Sequence, residues 1–280
     1  MDANKMKAVF ALAKREYLDS FRNKKIIGLT IFFVALILLI SYLGGVEEVG
    51  GDPEVRGLQH VVEFGSTILD FIIPIIAIMV GYKTVSKEIE SSSVSTLLTS
   101  HLTRKNIVLG KFLGLFSILA TSILVGLGTG AILIGILASF ENLGMFVQFI
   151  LISLLYGGAF LAISMMASCF INRNSKALAA GVLIWFFFHM IWDIILTGFL
   201  YVFGHDLTPP YPSTYWYADL LNPTGIYWIS SIRLGGGIPG IPDAGEIPSI
   251  LDLPVLTIAL FVWILVPLLI GILYFDKKDL

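Results

Sequence analysis

The sequence predicts an all-α polytopic membrane protein, in which an N-terminal interfacial amphipathic helix precedes six transmembrane helices and both termini are cytoplasmic. Composition is the first observation behind this prediction, because 56% of the 280 residues are hydrophobic and 14% are charged, against about 25% charged in soluble domains. The second is a set of six apolar runs, and the third is a one-sided distribution of basic residues. We expect residues 1–280 to form a single membrane domain.

Residues 1–25 are predicted to form a helix lying in the cytoplasmic interface. Apolar residues recur there every three or four positions, with Lys and Arg opposite them: Met6, Phe10, Ala13, Tyr17 and Phe21. Such a pattern is typical of helices that lie in the membrane surface. Charge throughout the segment distinguishes it from a cleavable signal peptide. The alternative is an ordinary juxtamembrane anchor.

Six apolar runs follow, and a helix needs about 20 residues to cross the hydrocarbon core. The predicted spans are residues 26–44, 67–81, 107–138, 145–170, 177–203 and 255–275. The second is the shortest, and it contains Asp70 and Pro74. Sixteen of the 18 basic residues lie on one side of these spans, and only Arg56 and Arg233 lie on the other. The positive-inside rule therefore predicts cytoplasmic termini.

The connection between the second and third spans, residues 82–106, is the most informative polar segment. It contains an acidic pair, an apolar stripe at helical spacing, and basic residues leading into the third span: Glu88, Glu90, Val94, Leu97, Leu98, Arg104 and Lys111. An amphipathic helix between two spans binds either the membrane surface or a groove of a soluble partner. Which of these it does decides the function.

The third span carries small residues four or eight positions apart, namely Gly110, Gly114, Ser122, Gly126 and Gly130. Small residues allow close helix–helix packing in membranes. Packing within the chain is favoured over a contact between protomers, because six spans offer many neighbours.

Three ionisable residues lie within the spans, and such residues are functional candidates because burying them in a bilayer is costly. His189 and Asp193 share a helix face at a spacing of four, so they could form a proton relay or line a path. The alternative is an interfacial Asp193 bonded to a neighbour such as Trp192. Asp70 is placed near the outer end of its span, within reach of water.

The connection at residues 204–254 is predicted to be extracytoplasmic, with a short helix over residues 223–234. Asn222 and Pro223 form a good helix start, because Asn caps helices and Pro fits the first turn. Tyr227 and Trp228 lie on this helix, and Trp and Tyr favour the headgroup level. We interpret the helix as a lid, with Tyr227 and Trp228 as a possible outer gate.

No catalytic or metal-ligating residues are predicted. The sequence contains no phosphate-binding P-loop, no His-Glu-x-x-His and no Gly-x-Ser-x-Gly, which are the motifs expected of nucleotide, zinc and serine chemistry. The four histidines are scattered, and Cys169 is the only cysteine. A net charge of −2 with basic residues along one membrane face gives no indication of a nucleic-acid partner.

The segment from Glu88 to Lys111 resembles the conserved loop of ABC-2 permeases, the membrane subunits of type-2 ABC exporters. That loop runs as acid-x-acid, a Gly-Thr-like pair, Leu-Leu, Pro-x-Ser-Arg and Gly-Lys. The matching residues here are Glu88, Glu90, Ser93, Leu97, Leu98, Thr103, Arg104, Gly110 and Lys111. Ser92 replaces the usual Gly and His101 the usual Pro. Residues 13–18 and 220–227 are also similar to this family, the latter especially to its NosY branch, which serves nitrous oxide reductase maturation.

The resemblance implies a half-transporter in a prokaryotic cytoplasmic membrane. It would pair with a second permease, as a homodimer or with a sister chain, and with cytoplasmic ABC ATPase subunits that bind ATP and Mg. The permease itself would need no cofactor and would not be an enzyme. Two alternatives are a proton-coupled secondary transporter and a non-transporting membrane scaffold or sensor subunit.

Overall fold

Helices make up most of the protein, which confirms the predicted helical class. The computed structural model describes residues 3–22, 24–49, 52–55, 57–86, 103–137, 139–204, 211–235 and 247–277. The first two helices are α1 (Ala3–Arg22) and α2 (Lys24–Gly45). An antiparallel hairpin that the sequence did not predict follows them, β1 (Val46–Val49) and β2 (Asp52–Val55).

The remaining helices agree with the predicted spans and the predicted short helix except at their ends, and α8 was not predicted. They are α3 (Leu58–Gly81), α4 (Arg104–Leu137), α5 (Leu143–Phe170), α6 (Asn174–Phe186), α7 (Trp192–Val202), α8 (Ser213–Ala218), α9 (Pro223–Gly235) and α10 (Leu253–Lys277). A π-helical turn at Phe187–Ile191 joins α6 to α7, and a 3₁₀ turn at Asp219–Leu221 precedes α9. Helix α3 begins nine residues before the predicted start of the second span.

Among the described residues, five helical segments are long and apolar enough to cross a membrane. They are α3, α4, α5, the continuous segment Asn174–Val202 that contains α6, the π turn and α7, and α10. Helix α2 is 22 residues long, and its described apolar stretch is Thr30–Leu39. We call Asn174–Val202 the fifth span below.

Helix α5 lies at the centre of the bundle. Its apolar residues are distributed all round the helix, which is typical of a buried helix, and α3, α4, α9 and α10 all pack against it. Tyr156 and Phe160 are among its fully buried side chains. The core therefore surrounds α5, and α9 is part of the core although it is only 13 residues long.

The small residues of α4 contact α1 and α2, which confirms the interpretation as packing within the chain. A Cβ atom added at Gly114 would lie 2.7 Å from the Ala13 carbonyl oxygen, and one at Gly126 would lie 2.5 Å from Ile37. The hydroxyls of Ser122 and Thr30 are 3.2 Å apart. Only residues without a larger side chain permit these close approaches.

Helix α1 has two apolar faces rather than the single predicted one. Val9, Leu12 and Ala13 are buried against α4, so Ala13 contacts protein and not lipid. Met6, Phe10 and Leu18 remain exposed, Phe10 at 61%. The exposed face is the one available to an interface, and the buried face attaches α1 to α4.

The fifth span lies at the edge of the bundle. Only 6% of its most apolar 18-residue window is buried, compared with 39–72% for the other four spans. Its middle contains the π turn, and the Phe188 carbonyl in that turn accepts a hydrogen bond of 2.9 Å from Asn222 Nδ2. π turns free backbone groups for such contacts and are frequent at functional sites.

Candidate functional site

The predicted coupling segment, residues 82–106, is described only at its two ends. Five of its candidate residues lie outside the described residues: Glu88, Glu90, Val94, Leu97 and Leu98. Their role in binding an ATPase therefore stays a prediction, and the described ends show how the segment is attached.

The chain enters the segment through a buried hydrogen-bonded junction. The backbone N–H groups of Val85 and Ser86 both donate to Ser168 Oγ at 2.9 Å. Ser86 Oγ donates to Asn174 Oδ1 at 2.8 Å. Because Ser168 lies near the end of α5 and Asn174 begins α6, this end is bonded to two helices at once.

The chain leaves the segment through Arg104, at the start of α4. Arg104 Nη1 donates to the carbonyl oxygens of Phe275 at 3.0 Å and Asp276 at 3.3 Å. Lys105 Nζ lies 3.3 Å from the Asp276 carboxylate. The last carbonyls of a helix have no partner within it, so these basic residues satisfy and hold the end of α10.

Lys111 does not belong to an exposed segment. Its side chain is 8% exposed, and its Nζ lies 2.9 Å from Glu16 Oε1. The prediction grouped Lys111 with the ATPase-coupling residues, whereas the structure places it in the contact between α4 and α1. Lys111 lies about two helical turns beyond the start of α4, where the chain has already entered the packed region.

Asp70 is buried, which corrects the prediction that it lies within reach of water. Its residue is 3% exposed, and the Tyr156 hydroxyl donates to Asp70 Oδ1 at 2.7 Å. Asp70 Oδ2 lies 3.6 Å from His189 Nδ1. Because α3 begins earlier than predicted, Asp70 falls in the middle of its helix.

His189 therefore faces Asp70, although the sequence paired it with Asp193. The His189 ring lies edge-on to Phe71 with centroids 3.9 Å apart, and it stacks on Trp185 at 5.4 Å. These contacts place His189 against α3. Asp193 lies in a different environment, and the Trp192 indole donates to Asp219 Oδ1 at 3.1 Å rather than to Asp193.

Tyr227 is a core residue and not a headgroup anchor. It is fully buried, and its ring stacks on Tyr156 with centroids 4.3 Å apart. Trp228 is half-buried and lines a cavity. The predicted helix start is confirmed, since α9 begins at Pro223 and Asn222 Oδ1 accepts from the Thr224 N–H at 2.9 Å. The gating role of Tyr227 and Trp228 stays a prediction.

A cavity of about 180 Å³ opens between the fifth span and the α8–α9 region. Its lining is rich in aromatic rings and contains two carboxylates: Asp193, Tyr211, Tyr215, Trp216, Asp219, Asn222, Thr224, Gly225, Trp228 and Ile229. Asp219 and Thr224 are buried, whereas Asp193 is exposed at the cavity mouth.

A chain of polar groups leads from this cavity into the core. Thr224 lines the cavity, and its hydroxyl lies 3.3 Å from the Tyr156 hydroxyl. Tyr156 in turn donates to Asp70, which faces His189. Such a chain can hold or pass a proton. The structure thus brings together Asp70 and His189, and connects them to the cavity that Asp193 lines.

Asp219 is the cavity carboxylate whose ionisation is most affected by its surroundings. Burial raises its pKa to about 7, and the neighbouring charge of Asp193 acts in the same direction. The hydrogen bond from Trp192 opposes this shift. Burial disfavours the charged carboxylate, and a hydrogen-bond donor favours it.

Sequence reasoning missed Tyr156, Thr224 and Asp219. Tyr156 lies in an otherwise apolar helix, next to the pair Gly157 and Gly158, so a polar group in a span was a usable signal. Asp219 follows the aromatic-rich residues 211–217, and the sequence around it contains no comparable signal. Among the described residues, no three His, Cys, Asp or Glu side chains come close enough together to hold a metal ion.

Comparison with known proteins gives consistent matches over the chain. Residues 10–280 match the family described as ABC-2 family transporter protein. A protein from Stutzerimonas stutzeri named "Probable ABC transporter permease protein NosY" is 31% identical over 98% of this chain and 99% of its own length. A protein of the same name from Pseudomonas aeruginosa is 30% identical over 92% of this chain and 94% of its own length.

Proposed function

Because the chain belongs to the ABC-2 transporter family, we propose that it couples ATP hydrolysis by a separate cytoplasmic ATPase to export across the membrane. The chain is a membrane permease subunit of an ABC transporter, as its family and relatives indicate. The observation that carries the coupling proposal is the attachment of residues 87–102. The described residues on either side of it, Val85, Ser86 and Arg104, are hydrogen-bonded to helices of the bundle.

A force applied to this segment would reach five helices, α1, α4, α5, α6 and α10. At its start, Ser86 is bonded to Ser168 of α5 and Asn174 of α6. At its end, Arg104 holds the last carbonyls of α10. The same helix, α4, is joined to α1 by the ion pair of Lys111 and Glu16. We propose that ATP-driven closure of the ATPase pair tilts these helices together.

We propose that α2 is the first of six spans and that both termini are cytoplasmic. Helix α2 has the 22 residues that crossing requires, since about 20 suffice. An even number of spans returns the chain to its starting side, and the distribution of basic residues makes that side the cytoplasm. The exposed face of α1 would then lie in the inner interface of a prokaryotic plasma membrane.

We propose that a second permease packs on the fifth span. The exposed residues of this span include Leu183, Ile194 and Phe199, together with Asp193. An aspartate that faces lipid is costly, whereas one that faces a cavity or another subunit is not. A second chain at this position would cover the apolar residues and close the cavity mouth beside Asp193.

A proton-coupled secondary transporter is the second candidate function. The polar chain from Thr224 through Tyr156 to Asp70 and His189 favours it. Reconstituted vesicles distinguish the two candidates. Flux that requires the ATPase subunit and ATP supports the first, whereas flux driven by a proton gradient without ATP supports the second.

The NosY resemblance also suggests a role in nitrous oxide reductase maturation, which we propose for this chain. Deleting the gene in its native host tests this role. The proposal predicts that the host makes nitrous oxide reductase protein with lost activity, and that the wild-type gene restores it. Full activity in the deletion strain would remove this assignment and leave the family assignment intact.

Paired substitutions in the segment test the coupling proposal. We expect Glu88→Ala with Glu90→Ala to leave the permease folded and inserted, but to weaken ATPase association or uncouple hydrolysis from transport. Charge-assisted contacts at an interface contribute about 1.5–3 kcal/mol each, so a loss of about tenfold or more is expected. Leu97→Asp with Leu98→Asp should act similarly. Glu141→Gln is the control, since Glu141 is an exposed carboxylate in the connection between α4 and α5.

A further inference from the structure

The cavity beside the fifth span combines two carboxyl groups with aromatic faces. Asp219 lies on its buried floor and Asp193 at its mouth. Of the residues that the structure describes, no basic side chain forms an ion pair with either carboxylate. Two carboxylates sharing a cavity of low polarity repel each other, and a cation between them removes that repulsion.

The rings form a corner of the kind that binds ammonium groups. Tyr211 and Tyr215 stack with centroids 4.7 Å apart, and Trp216 stands edge-on to Tyr215 at 5.4 Å. Trp228 supplies a further ring. Ring faces attract weakly hydrated organic cations, and cages of Tyr and Trp recognise quaternary and alkylated ammonium groups.

Metal ions fit this lining less well. Hard divalent cations require six or more oxygen ligands, whereas most of this lining is aromatic. The Asn222 amide is already used, because its oxygen caps α9 and its nitrogen donates to the Phe188 carbonyl. Asp219 Oδ1 accepts from Trp192. The remaining polar groups suit a single positive charge of moderate size.

We propose that this cavity binds an organic ammonium group, held by Asp193 and Asp219 and enclosed by Tyr215, Trp216 and Trp228. The group belongs either to a small soluble cation or to the ethanolamine headgroup of a membrane lipid. Its binding does not require the ATPase, so this proposal and the proposed coupling function stand or fall separately.

Equilibrium binding of radiolabelled choline to the purified full chain tests the proposal. We expect saturable binding that tetramethylammonium displaces and that 3,3-dimethyl-1-butanol, the uncharged isostere of choline, does not. Asp219→Asn should weaken binding at least tenfold. Asp193→Asn and Trp228→Leu alter lining side chains that are not fully buried. They should also weaken binding, so they keep the test valid if Asp219→Asn fails to fold. Glu141→Gln should bind choline within twofold of the wild type.

Lipid mass spectrometry of the same preparation identifies the source of the group. Phosphatidylethanolamine that is retained by the wild type, lost from Asp219→Asn and displaced by choline would support a headgroup. Choline binding without retained lipid would support a soluble cation. Absence of saturable choline binding together with absence of retained phosphatidylethanolamine would overturn the proposal, and so would equal binding of the uncharged isostere.

Discussion

Helix α4 and the fifth span are both long apolar helices, but they are held in opposite ways. Fifty-six per cent of the most apolar window of α4 is buried, and small residues bring it against α1 and α2. Only 6% of the most apolar window of the fifth span is buried. Its contacts with the α8–α9 region and α3 include polar contacts near the π turn, at Phe188, His189 and Trp192, and aromatic contacts of Trp185 and His189 with Phe71. Close packing along its length fixes one helix, whereas a small number of polar and aromatic contacts position the other.

This difference indicates where movement can occur. A helix held by backbone-close packing resists displacement, because packed interiors tolerate little change in shape. A helix held by a few hydrogen bonds can move when those bonds exchange. We therefore expect α4 and α1 to move together as one rigid unit. We expect the position of the fifth span to depend on a second subunit and on a bound ligand.

The largest expected effect comes from enlarging Gly114 in α4. Gly114→Val would place a branched side chain against the Ala13 backbone, where even a Cβ lies 2.7 Å from the carbonyl oxygen. Backbone atoms cannot move aside as a flexible side chain can. We therefore expect Gly114→Val to lower the free energy of unfolding by about 3 kcal/mol, at the upper end of the range for overpacking. Thermal unfolding in detergent measures it.

Gly128 supplies the matched control on the same helix. A Cβ added there meets nothing within 4 Å, so Gly128→Val should change the unfolding temperature little. Equal losses from both substitutions would show that the small-residue row is not what holds α4.

Tyr156→Phe is expected to have the next largest effect, because it removes one hydroxyl from the polar chain. The hydroxyl donates to Asp70 Oδ1 at 2.7 Å, and a hydrogen bond contributes about 0.5–1.5 kcal/mol between neutral groups and about 1.5–3 kcal/mol when one group is charged. The Tyr156 ring would still stack on Tyr227. We expect lower stability and a looser fifth span, measured as faster hydrogen exchange at residues 185–193.

Tyr42→Phe is the control for that experiment, since Tyr42 is 51% exposed. Unchanged exchange at residues 185–193 in Tyr156→Phe would mean that the polar chain does not position the fifth span.

The sequence predicted the helical class and most helix positions, because hydrophobic runs report directly on burial in a bilayer. It also favoured the internal packing of Gly114 and Gly126 over a contact between protomers, because six spans offer many neighbours within the chain. It failed for His189, because helical spacing pairs residues within one helix and contains no information on the facing helix. The π turn and the earlier start of α3 together brought Asp70, not Asp193, to His189.

Helix α9, which we interpret from the sequence as a lid, shows the same limit of local sequence patterns. Asn222 and Pro223 predicted its start correctly, because capping is a local property. The burial of Tyr227 depends on the pocket that α5 offers through Tyr156, and local sequence does not describe that pocket. Residues 87–102, which carry most of the predicted coupling residues, lie outside the described residues.

Exposed residues of the fifth span provide a further test of the comparison. Leu183→Ala with Ile194→Ala should leave the monomer folded and weaken permease–permease association about tenfold or more, since each lost apolar contact at an interface costs about 1 kcal/mol or more. Mass photometry of the solubilised complex measures it. Ile258→Ala with Leu265→Ala on α10, also exposed, should leave association unchanged. Equal dissociation by both pairs would place the second subunit elsewhere.

The smallest expected effect is a pH dependence at Asp219. Its folded-state pKa of about 7 lies above the value of 3.8 for a free carboxyl group, so the folded protein holds a proton that the unfolded chain releases. The contribution to stability is therefore full below about pH 4 and is lost as pH rises towards 7 and above. Trp192 donates to Asp219, so its fluorescence should titrate near pH 7. The titration should disappear in Asp219→Asn and persist in Glu141→Gln.

The central claim is that residues 87–102 bind a cytoplasmic ATPase, and site-specific photo-crosslinking in the assembled complex tests it most directly. A photoreactive amino acid at Leu97 should crosslink to the ATPase subunit. The same amino acid at Leu221, which is 64% exposed and belongs to the predicted extracytoplasmic connection, should not. An ATPase crosslink from position 221, or none from 97 in a complex that retains the ATPase, would contradict the account.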